Sequence, residues 1–318
     1  LHLCDRRQRQ MCIRDRYMTK PFSSKLHFTL LLLINITLLS ACHSGDLSKE
    51  NRLTTSVNLS DAPLEINILE TGKSDCIVIK VEDKTVMIDT GLDQNGEKIA
   101  DFLEKEQIDV IDYLIISHLD KDHIGGAETI LDEVAVSNVI QPNYTRDTKQ
   151  YKQYTKALND HELTPIYLIN DMTFKLNDAT FIISPPLQEE YELSNDYSLI
   201  TSVSYGNQSF LFAGDAESIR LSEFLATSPL HYTLLKLPHH GRYSEKIDEL
   251  LTAISPTYGI ITCSEEEYAD TEVLELLAKH HVQTLMTSDG PIVIRSDGKN
   301  ISVHQQLKTI ISFKQKGD

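Results

Sequence analysis

The sequence predicts an α/β fold in which strands form the interior and helices cover them. Short runs rich in β-branched residues, typical of buried strands, recur through the chain. Segments with helical spacing, such as Glu97 to Glu106 and Thr271 to Lys279, alternate with these runs. Such alternation indicates helices packed in layers on sheets. Histidine and aspartate residues follow the ends of several predicted strands, which indicates a site at one edge of the sheets.

The densest cluster follows the predicted buried strand Ile111 to Ile116, where the sequence reads SHLDKDHIGG. Its four potential metal ligands are His118, Asp120, Asp122 and His123. Gly125 and Gly126 allow a tight turn, and Ala127 to Leu131 is predicted to be a helix whose positive N-terminal end lies close to the cluster. Imidazole and carboxylate ligands in this arrangement are sufficient to hold two cations close together.

The same stretch is compatible with two alternatives to a metal site. A calcium-binding loop shares the alternating aspartates and the glycine at its sixth position, but Leu131 stands where the twelfth position requires a bidentate glutamate. A solvated charged loop is the second alternative. The alternation of two histidines with two aspartates favours the metal site.

The stretch resembles the signature motif of the metallo-β-lactamase superfamily. It matches the variant in which the second histidine is aspartate, as in the extracytoplasmic domain of the competence DNA-uptake protein ComEC and its stand-alone relatives. The resemblance extends from about Leu64 to about Val303 and implies a four-layer αββα sandwich with the site at one edge. It also implies a cofactor of two divalent metal ions, Zn²⁺ or Mn²⁺ or both, that activate water for hydrolysis.

The predicted sheet begins with strands over Leu64 to Glu70, Asp75 to Val81 and Thr85 to Asp89. The third strand runs into Thr90-Gly91 and matches the first motif of the family. In that motif the residue equivalent to Asp89 braces a metal ligand rather than binding metal. A simple aspartate-containing turn is the alternative.

A basic segment follows the next predicted strand, Val136 to Ile140. Between Tyr144 and Lys156 it carries three tyrosines and four basic residues: Arg146, Lys149, Lys152 and Lys156. Because the chain is acidic overall, with a formal net charge of −17, this segment is a candidate for holding an anionic or ring-bearing substrate. A solvated helix face is the favoured alternative.

The second half of the site is predicted from the strands Leu199 to Tyr205 and Ser209 to Ala213, the second of which runs into Gly214-Asp215. The resemblance implies that Asp215 bridges the two metals. Asn195 and Ser198 occupy the region where many members of the family supply a third histidine, and they are candidates to complete the first site with His118 and Asp120.

The predicted strand Tyr232 to Leu237 ends in the sequence PHHGRYS. This resembles the Lys-x-x-His-His-Gly-Ser pattern of ComEC-like proteins, with Lys236 in place and Arg242 where serine is usual. The resemblance implies that either His239 or His240 completes the second metal site. A surface or capping role for the pair is the alternative.

Roles within the predicted site follow from the same resemblance. The second metal is expected to bind Asp122 and His123 together with one of the paired histidines. The residues expected to take part in catalysis or to contact substrate are Asp122, His240, Lys236 and Arg242. Since His118 is the one nitrogen ligand of the first site, we expect that site to favour Mn²⁺, whereas the second suits zinc.

The last predicted strands are Tyr258 to Cys263, Gln283 to Met286, Ile292 to Arg295 and Ile301 to Val303. Together with the helix Thr271 to Lys279, they close the predicted domain, which spans residues 63–305 and leaves residues 306–318 as a tail. The two cysteines of this domain, Cys76 and Cys263, lie in apolar runs and are predicted to be buried free thiols.

The front of the chain is predicted to carry a membrane anchor. Residues 1–17 resemble translated sequencing adaptor, and residues 18–42 resemble a lipoprotein signal peptide that ends in Leu39-Ser40-Ala41-Cys42. A transmembrane helix is disfavoured because the apolar run is shorter than the roughly 20 residues needed and contains polar residues. We expect lipid on Cys42 to anchor the protein on the outer side of the cytoplasmic membrane, with residues 43–62 as a tether.

The expected function is hydrolysis of a phosphoester, most directly a phosphodiester in nucleic acid or in a surface polymer. The acidic balance counts against a nuclease because nonspecific affinity for nucleic acid comes from lysine and arginine. A phosphorylcholine-esterase-like hydrolase and a non-catalytic metal-binding lipoprotein are the alternatives. A true β-lactamase is disfavoured by Asp120 and the absent third histidine. The sequence indicates no protein partner.

We predict that Cys42→Ala releases the protein from membranes or leaves its precursor unprocessed, because the thiol that would carry the lipid is gone. Fractionation of cells expressing either form, followed by mass spectrometry of the N-terminus, measures this. Normal processing with unchanged membrane retention in the variant would show that Cys42 is not the anchor.

Overall fold

The computed structural model describes residues 59–227 and 231–308. The predicted signal peptide, Cys42 and most of the predicted tether lie outside these residues, as do residues 309–318 of the predicted tail. No helix in this part of the chain combines the length and apolar character that crossing a membrane requires.

The strands, numbered in chain order, are β1 (Leu64–Ile68), β2 (Ile77–Val81), β3 (Lys84–Ile88), β4 (Val110–Ile111), β5 (Tyr113–Ile115), β6 (Ala135–Val136), β7 (Val139–Pro142), β8 (Ile166–Leu168), β9 (Met172–Leu176), β10 (Ala179–Ser184), β11 (Ile200–Tyr205), β12 (Gln208–Phe212), β13 (Leu234–Lys236), β14 (Tyr258–Ile261), β15 (Gln283–Met286), β16 (Ile292–Ser296) and β17 (Ile301–Gln305). The helices are α1 (Gly96–Lys105), α2 (Lys121–Ile124), α3 (Ala127–Glu133), α4 (Lys149–Asp160), α5 (Ser218–Ala226), α6 (Ile247–Ile254) and α7 (Thr271–Lys279).

Two large sheets organise the described residues. The first has the strand order β17-β16-β1-β2-β3-β5-β7-β8, and the second has the order β15-β14-β13-β12-β11-β10-β9. Each sheet is antiparallel over one part and parallel over the other, with β3, β5, β7 and β8 parallel in the first and β12 to β15 parallel in the second. Strands β4 and β6 form a separate parallel pair.

The sheets pack face to face and helices cover their outer faces. One apolar cluster joins inward side chains of both sheets, including Ile66, Ile79, Phe181 and Phe210. A second cluster packs α1, α3 and α4 on the first sheet, and a third packs α5, α6 and α7 on the second. This arrangement confirms the predicted αββα sandwich, since each sheet buries one face against the other sheet and one against helices.

The parallel parts of the sheets position the site. Parallel neighbours end at the same edge, so the segments that leave β3 and β5 emerge together, as do those that leave β12, β13 and β14. These exits carry the predicted motifs at Asp89, Ser117, Asp215 and His240. Ligands that are distant in sequence therefore meet at one end of the sandwich.

Gly125 and Gly126 serve a different purpose from the one predicted. Both have ordinary right-handed backbone angles, with φ of −62° and −81°, so a tight turn does not require glycine there. A Cβ on Gly125 would lie 2.3 Å from the backbone nitrogen of Asp93, and one on Gly126 would lie 2.3 Å from the carbonyl oxygen of Thr90. The glycines therefore permit close backbone packing between the motif and the segment after β3.

Other boundaries differ from the prediction for identifiable reasons. The predicted strand Ile111 to Ile116 is split between β4 and β5 at Asp112, whose carboxylate accepts hydrogen bonds from Lys84 Nζ and from the Thr85 backbone. The basic segment becomes helical only at Lys149, because the hydroxyl of Thr148 accepts the Tyr151 N–H and caps α4.

Candidate metal centre

His123 is one of the candidate ligands on the segment that follows β5 of the first sheet. It lies in α2, buried, and its Nδ1 is 2.7 Å from Oδ2 of Asp89. The other Asp89 oxygen accepts the Ser117 N–H at 2.7 Å, and the backbone of Asp89 has a positive φ of 60°. A carboxylate on one ring nitrogen fixes the imidazole and directs its Nε2 into the site, as is typical behind metal-binding histidines.

His118 lies beside His123 and is also buried. The two ring centroids are 4.0 Å apart, and Nδ1 of His118 is 3.2 Å from the hydroxyl of Ser117. That hydroxyl also donates to Oδ2 of Asp89 at 2.6 Å. Ser117 and Asp89 therefore hold the rings of both histidines from behind.

Asp215 and His240 come from the second sheet. Asp215 follows β12, and its backbone N–H donates to the Ser198 hydroxyl at 3.1 Å. His240 lies in the short 3₁₀ turn Pro238–Gly241 after β13, and its Nδ1 is 3.0 Å from the carbonyl oxygen of Thr262. Both side chains are buried. They approach the site from the side opposite the motif that follows β5.

The functional atoms of these residues converge. Nε2 of His123 and Nε2 of His240 each lie 3.3 Å from Oδ2 of Asp215, and Nε2 of His240 lies 3.6 Å from Oδ2 of Asp122. One ligand atom from each of these four residues falls within 4.8 Å of the others. The arrangement brings carboxylate and imidazole ligands around a shared centre, as metal binding requires.

Unpaired buried atoms test whether the site fits a metal. Nε2 of His118, His123 and His240 and Oδ1 of Asp215 are buried without a hydrogen-bond partner among the described residues. Leaving such atoms unpaired costs about 1–3 kcal/mol each, so several together indicate an absent partner. Since every Nδ1 behind these rings is occupied, the free Nε2 atoms fit divalent cations.

The electrostatics also favour cations. Burial, together with the neighbouring His123, lowers the pKa of His118 well below its ordinary value, so this imidazole is neutral and competent to bind metal. Burial alone would lower the pKa of His123, but the carboxylates of Asp215 and Asp89 raise it well above its ordinary value. The pKa of His240 is raised against burial, first by Asp215. The carboxylates that raise the pKa values of His123 and His240 would also attract metal ions.

Asp120 lies at the mouth of the centre. Its Oδ2 accepts the Ser194 hydroxyl at 2.7 Å and lies 3.8 Å from Nε2 of His118. Its Oδ1 is 3.0 Å from Nη1 of Arg146, without hydrogen-bond geometry. Asp120 is therefore adjacent to the predicted first metal site and in contact with a cation outside it.

The structure distinguishes the two histidines of the PHHG sequence. His239 and His240 both have left-handed backbone angles, with φ of 47° and 53°. His239 is partly exposed, and its Nδ1 lies 2.6 Å from Oε1 of Glu217, with the amide of Asn195 3.4 Å away. The geometry therefore places His240 within the cluster and His239 at its rim beside Glu217 and Asn195.

Lys236 is completely buried and lies against Asp75. Its ammonium group donates to Oδ2 of Asp75 and to the carbonyl oxygen of Gly214, and it lies 3.8 Å from Oδ1 of Asp215. Oδ1 of Asp75 accepts the Thr262 hydroxyl at 2.6 Å. Lys236 therefore lies behind the ligands, where it neutralises buried carboxylates, and offers no exposed surface to a substrate.

Asp75 was missed by the sequence analysis, which placed it at the start of a predicted strand. In the structure it precedes β2 and is buried, and its Oδ1 lies 3.5 Å from Nδ1 of His240. The available signal was an acidic residue directly before a strongly apolar strand. Glu217 was also missed, and its position two residues after Asp215 was the signal for it.

Arg242, which was predicted to take part in catalysis or to contact substrate, contacts Asp270 instead of the cluster. Its Nη1 lies 2.8 Å from Oδ1 of Asp270, whose other oxygen accepts the Tyr243 N–H at 2.9 Å. These hydrogen bonds lower the pKa of Asp270, and the carboxylate holds the guanidinium at the surface.

The chain matches a known protein family. A family model described as the metallo-beta-lactamase superfamily matches residues 69–264, which is more than half of the chain. The chain belongs to the metallo-β-lactamase superfamily. This confirms the predicted family, and the residues of the buried cluster lie within the matched range.

Two curated relatives confirm the resemblance to the ComEC-like branch of the superfamily. ComE operon protein 3 of Bacillus subtilis is 24% identical over 248 residues, which are 71% of this chain and 32% of that protein. Recombination protein 2 of Haemophilus influenzae is 27% identical over 209 residues, which are 64% of this chain and 25% of that protein. The chain thus spans about a quarter to a third of the length of these relatives.

The fold is also shared with a solved structure. A mutant of the CmlA beta-hydroxylase superposes with a TM-score of 0.51 at 14% sequence identity, covering 73% of this chain and 54% of that chain. At this identity the likeness concerns the fold alone.

We predict that His240→Ala lowers the number of metal ions bound per chain, whereas His239→Ala leaves it unchanged. The two residues are neighbours, but Nε2 of His240 is buried and unpaired while His239 is partly exposed beside Glu217. Elemental analysis after equilibrium dialysis measures the difference. Equal metal loss in the two variants would contradict the assignment of His240 over His239.

We predict that Asp75→Asn and Lys236→Met each lower the free energy of unfolding of the metal-free protein by about 3–5 kcal/mol, because each leaves a buried charge without its partner. The double variant removes both charges and is expected to lose less than the sum of the single losses. Urea denaturation of all four forms gives the coupling energy. Strictly additive losses would show that the two side chains act independently.

Proposed function

We propose that the protein is a binuclear metal-dependent hydrolase of phosphodiester bonds, held outside the cytoplasmic membrane through lipid on Cys42. One observation carries the chemical part of this proposal. Oδ2 of Asp215 lies 3.3 Å from imidazoles contributed by both sheets, and Oδ1 of the same carboxylate is buried without a hydrogen-bond partner among the described residues. A carboxylate with one oxygen beside a set of ligands and the other oxygen unpaired is suited to contact two closely spaced metal ions.

Residues already described would hold the two ions. His118 and Asp120, whose Nε2 and Oδ2 lie 3.8 Å apart, would hold one ion, and Asp122, His123 and His240 would hold the other, with Asp215 contributing to both. Divalent ions bound there would lower the pKa of water and neutralise charge that develops on phosphoryl oxygens.

The chain's own contribution is to hold the ligands in place. Asp89 holds His123, Thr262 holds His240, and Ser198 holds the backbone of Asp215. Contact with His240 keeps the pKa of Asp122 below its ordinary value against the effect of burial, so its carboxylate is ionised. Ligands fixed in this way need little rearrangement when ions or substrate bind.

The choice of phosphodiesters is supported by the relatives. One is named ComE operon protein 3 and the other Recombination protein 2, and the second name is consistent with nucleic acid, whose strands are joined by phosphodiester bonds, as the substrate class. A non-catalytic binding lipoprotein would be free to lose ligands, yet Asp122, His123, Asp215 and His240 all supply ligand atoms to one cluster. The acidic net charge favours a short or singly charged diester over long duplex nucleic acid.

We expect purified protein loaded with Mn²⁺ or Zn²⁺ to hydrolyse bis-p-nitrophenyl phosphate, with Asp215→Ala abolishing turnover while circular dichroism shows an intact fold. Parallel assays with p-nitrophenyl phosphorylcholine, single-stranded DNA and nitrocefin identify the substrate class. His239→Ala is the matched control for metal retention.

Fast hydrolysis of p-nitrophenyl phosphorylcholine alone would replace the phosphodiester proposal with a phosphorylcholine-esterase-like one. Metal-loaded protein that hydrolyses none of the four substrates would favour a non-catalytic role.

A further inference from the structure

The basic residues between Tyr144 and Lys156 differ in what they contact. Lys152 and Lys156 lie on α4, exposed, and form ion pairs with Asp147 and Asp160. Arg146 precedes the helix and instead reaches Asp120 at the mouth of the metal centre. The helix therefore has a solvated face, as the favoured alternative predicted, while Arg146 is directed to the site.

Hydrogen bonding and stacking place the start of the segment against the metal centre. The Tyr144 hydroxyl accepts the backbone N–H of Leu119 at 2.6 Å, within the signature motif. The ring of Tyr144 stacks on Tyr197, with centroids 4.0 Å apart and planes at 13°. Arg146 follows Tyr144 by two residues, so the contacts of Tyr144 with Leu119 and Tyr197 keep Arg146 close to both halves of the site.

Arg146 retains unused donors. Its side chain is about one third exposed, and its contact with Oδ1 of Asp120 lacks hydrogen-bond geometry. A guanidinium carries five N–H donors in a planar fork that matches the oxygens of a phosphate group. A phosphate at the mouth of the centre can therefore bind Arg146 without displacing an established hydrogen bond.

Two other cations near the centre, Lys236 and Arg242, are poorly placed for this role. Lys236 is fully buried behind the ligands against Asp75. Arg242 is paired with Asp270, which also accepts a backbone N–H and is thereby fixed. The centre itself carries the carboxylates of Asp122 and Asp215, so a nearby exposed positive charge would favour binding of an anionic substrate.

We infer that Arg146 is the residue that binds the non-bridging oxygens of the substrate's phosphoryl group, and that Asp120 positions it. This inference rests on the proposed function and specifies which side chain recognises the anion. It implies that substrates need a singly or doubly charged phosphoryl group close to the metal centre. A neutral ester cut at the same centre gains nothing from Arg146.

The test compares Arg146→Ala and Arg146→Lys with Lys152→Ala, which removes one positive charge from the same segment. Binding of inorganic phosphate to Mn²⁺-loaded protein is measured by titration calorimetry, and metal content by elemental analysis. We expect Arg146→Ala to weaken phosphate binding about tenfold to a hundredfold at unchanged metal content, as loss of charge-assisted hydrogen bonds predicts. Arg146→Lys should be intermediate, and Lys152→Ala should match the unchanged protein.

Hydrolysis provides a second measurement. For bis-p-nitrophenyl phosphate, Arg146→Ala is expected to lower kcat/KM by a similar factor, whereas for neutral p-nitrophenyl acetate the two proteins should agree. Unchanged phosphate binding in Arg146→Ala would overturn the inference. So would a loss of metal equal to that in Asp120→Ala, or transfer of the effect to Lys121→Ala, since Lys121 is an exposed cation in the same motif.

Failure of this inference is distinguishable from failure of the proposed function. Phosphate binding that depends on Arg146 in a protein that cuts no phosphodiester would overturn the function and keep the anion site. Phosphodiester hydrolysis that is unchanged in Arg146→Ala would support the proposed function and overturn the anion site.

Discussion

The structure depends on keeping buried carboxylates together at the edge between two sheets. Asp75, Asp89 and Asp215 are almost wholly removed from water, and burial of ionised groups is costly unless opposite charges lie beside them. Lys236 provides one such charge, and it joins β13 of the second sheet to the residue that precedes β2 of the first. The remaining negative charge creates the affinity for protons and metal ions described above. Catalytic capacity and the architecture of the sandwich edge are therefore parts of one electrostatic arrangement.

Much of the fold was predictable because its signals are local. The helix Thr271 to Lys279 and the strand Gln283 to Met286 have the predicted boundaries, since hydrophobic spacing within each segment determines them. Helices α5 and α6 were not predicted from the sequence. The four-layer arrangement came from the resemblance to a family, because the pairing of distant strands leaves little trace in any single segment.

The site was predictable as a set of motifs but not as a geometry. The motif residues after β5, β12 and β13 were identified from strand ends. The position of His239 relative to His240 depends on two consecutive left-handed backbone conformations, which composition does not reveal. The roles of Asp75 and Glu217 depend on contacts with residues far away in sequence or on another element. Arg146 was separated from the lysines of its segment only by where Thr148 caps α4.

The shared carboxylate of Asp215 has a consequence for folding order. His123 belongs to the first sheet and His240 to the second, and more than a hundred residues separate them along the chain. Closing so long a loop is entropically slow, so the complete set of ligands exists only after the sheets have docked. Metal ions then act as a late crosslink between two parts of the chain. A chain that docks its sheets without metal would be native in topology yet locally loose at this one edge, and proteolysis would begin there.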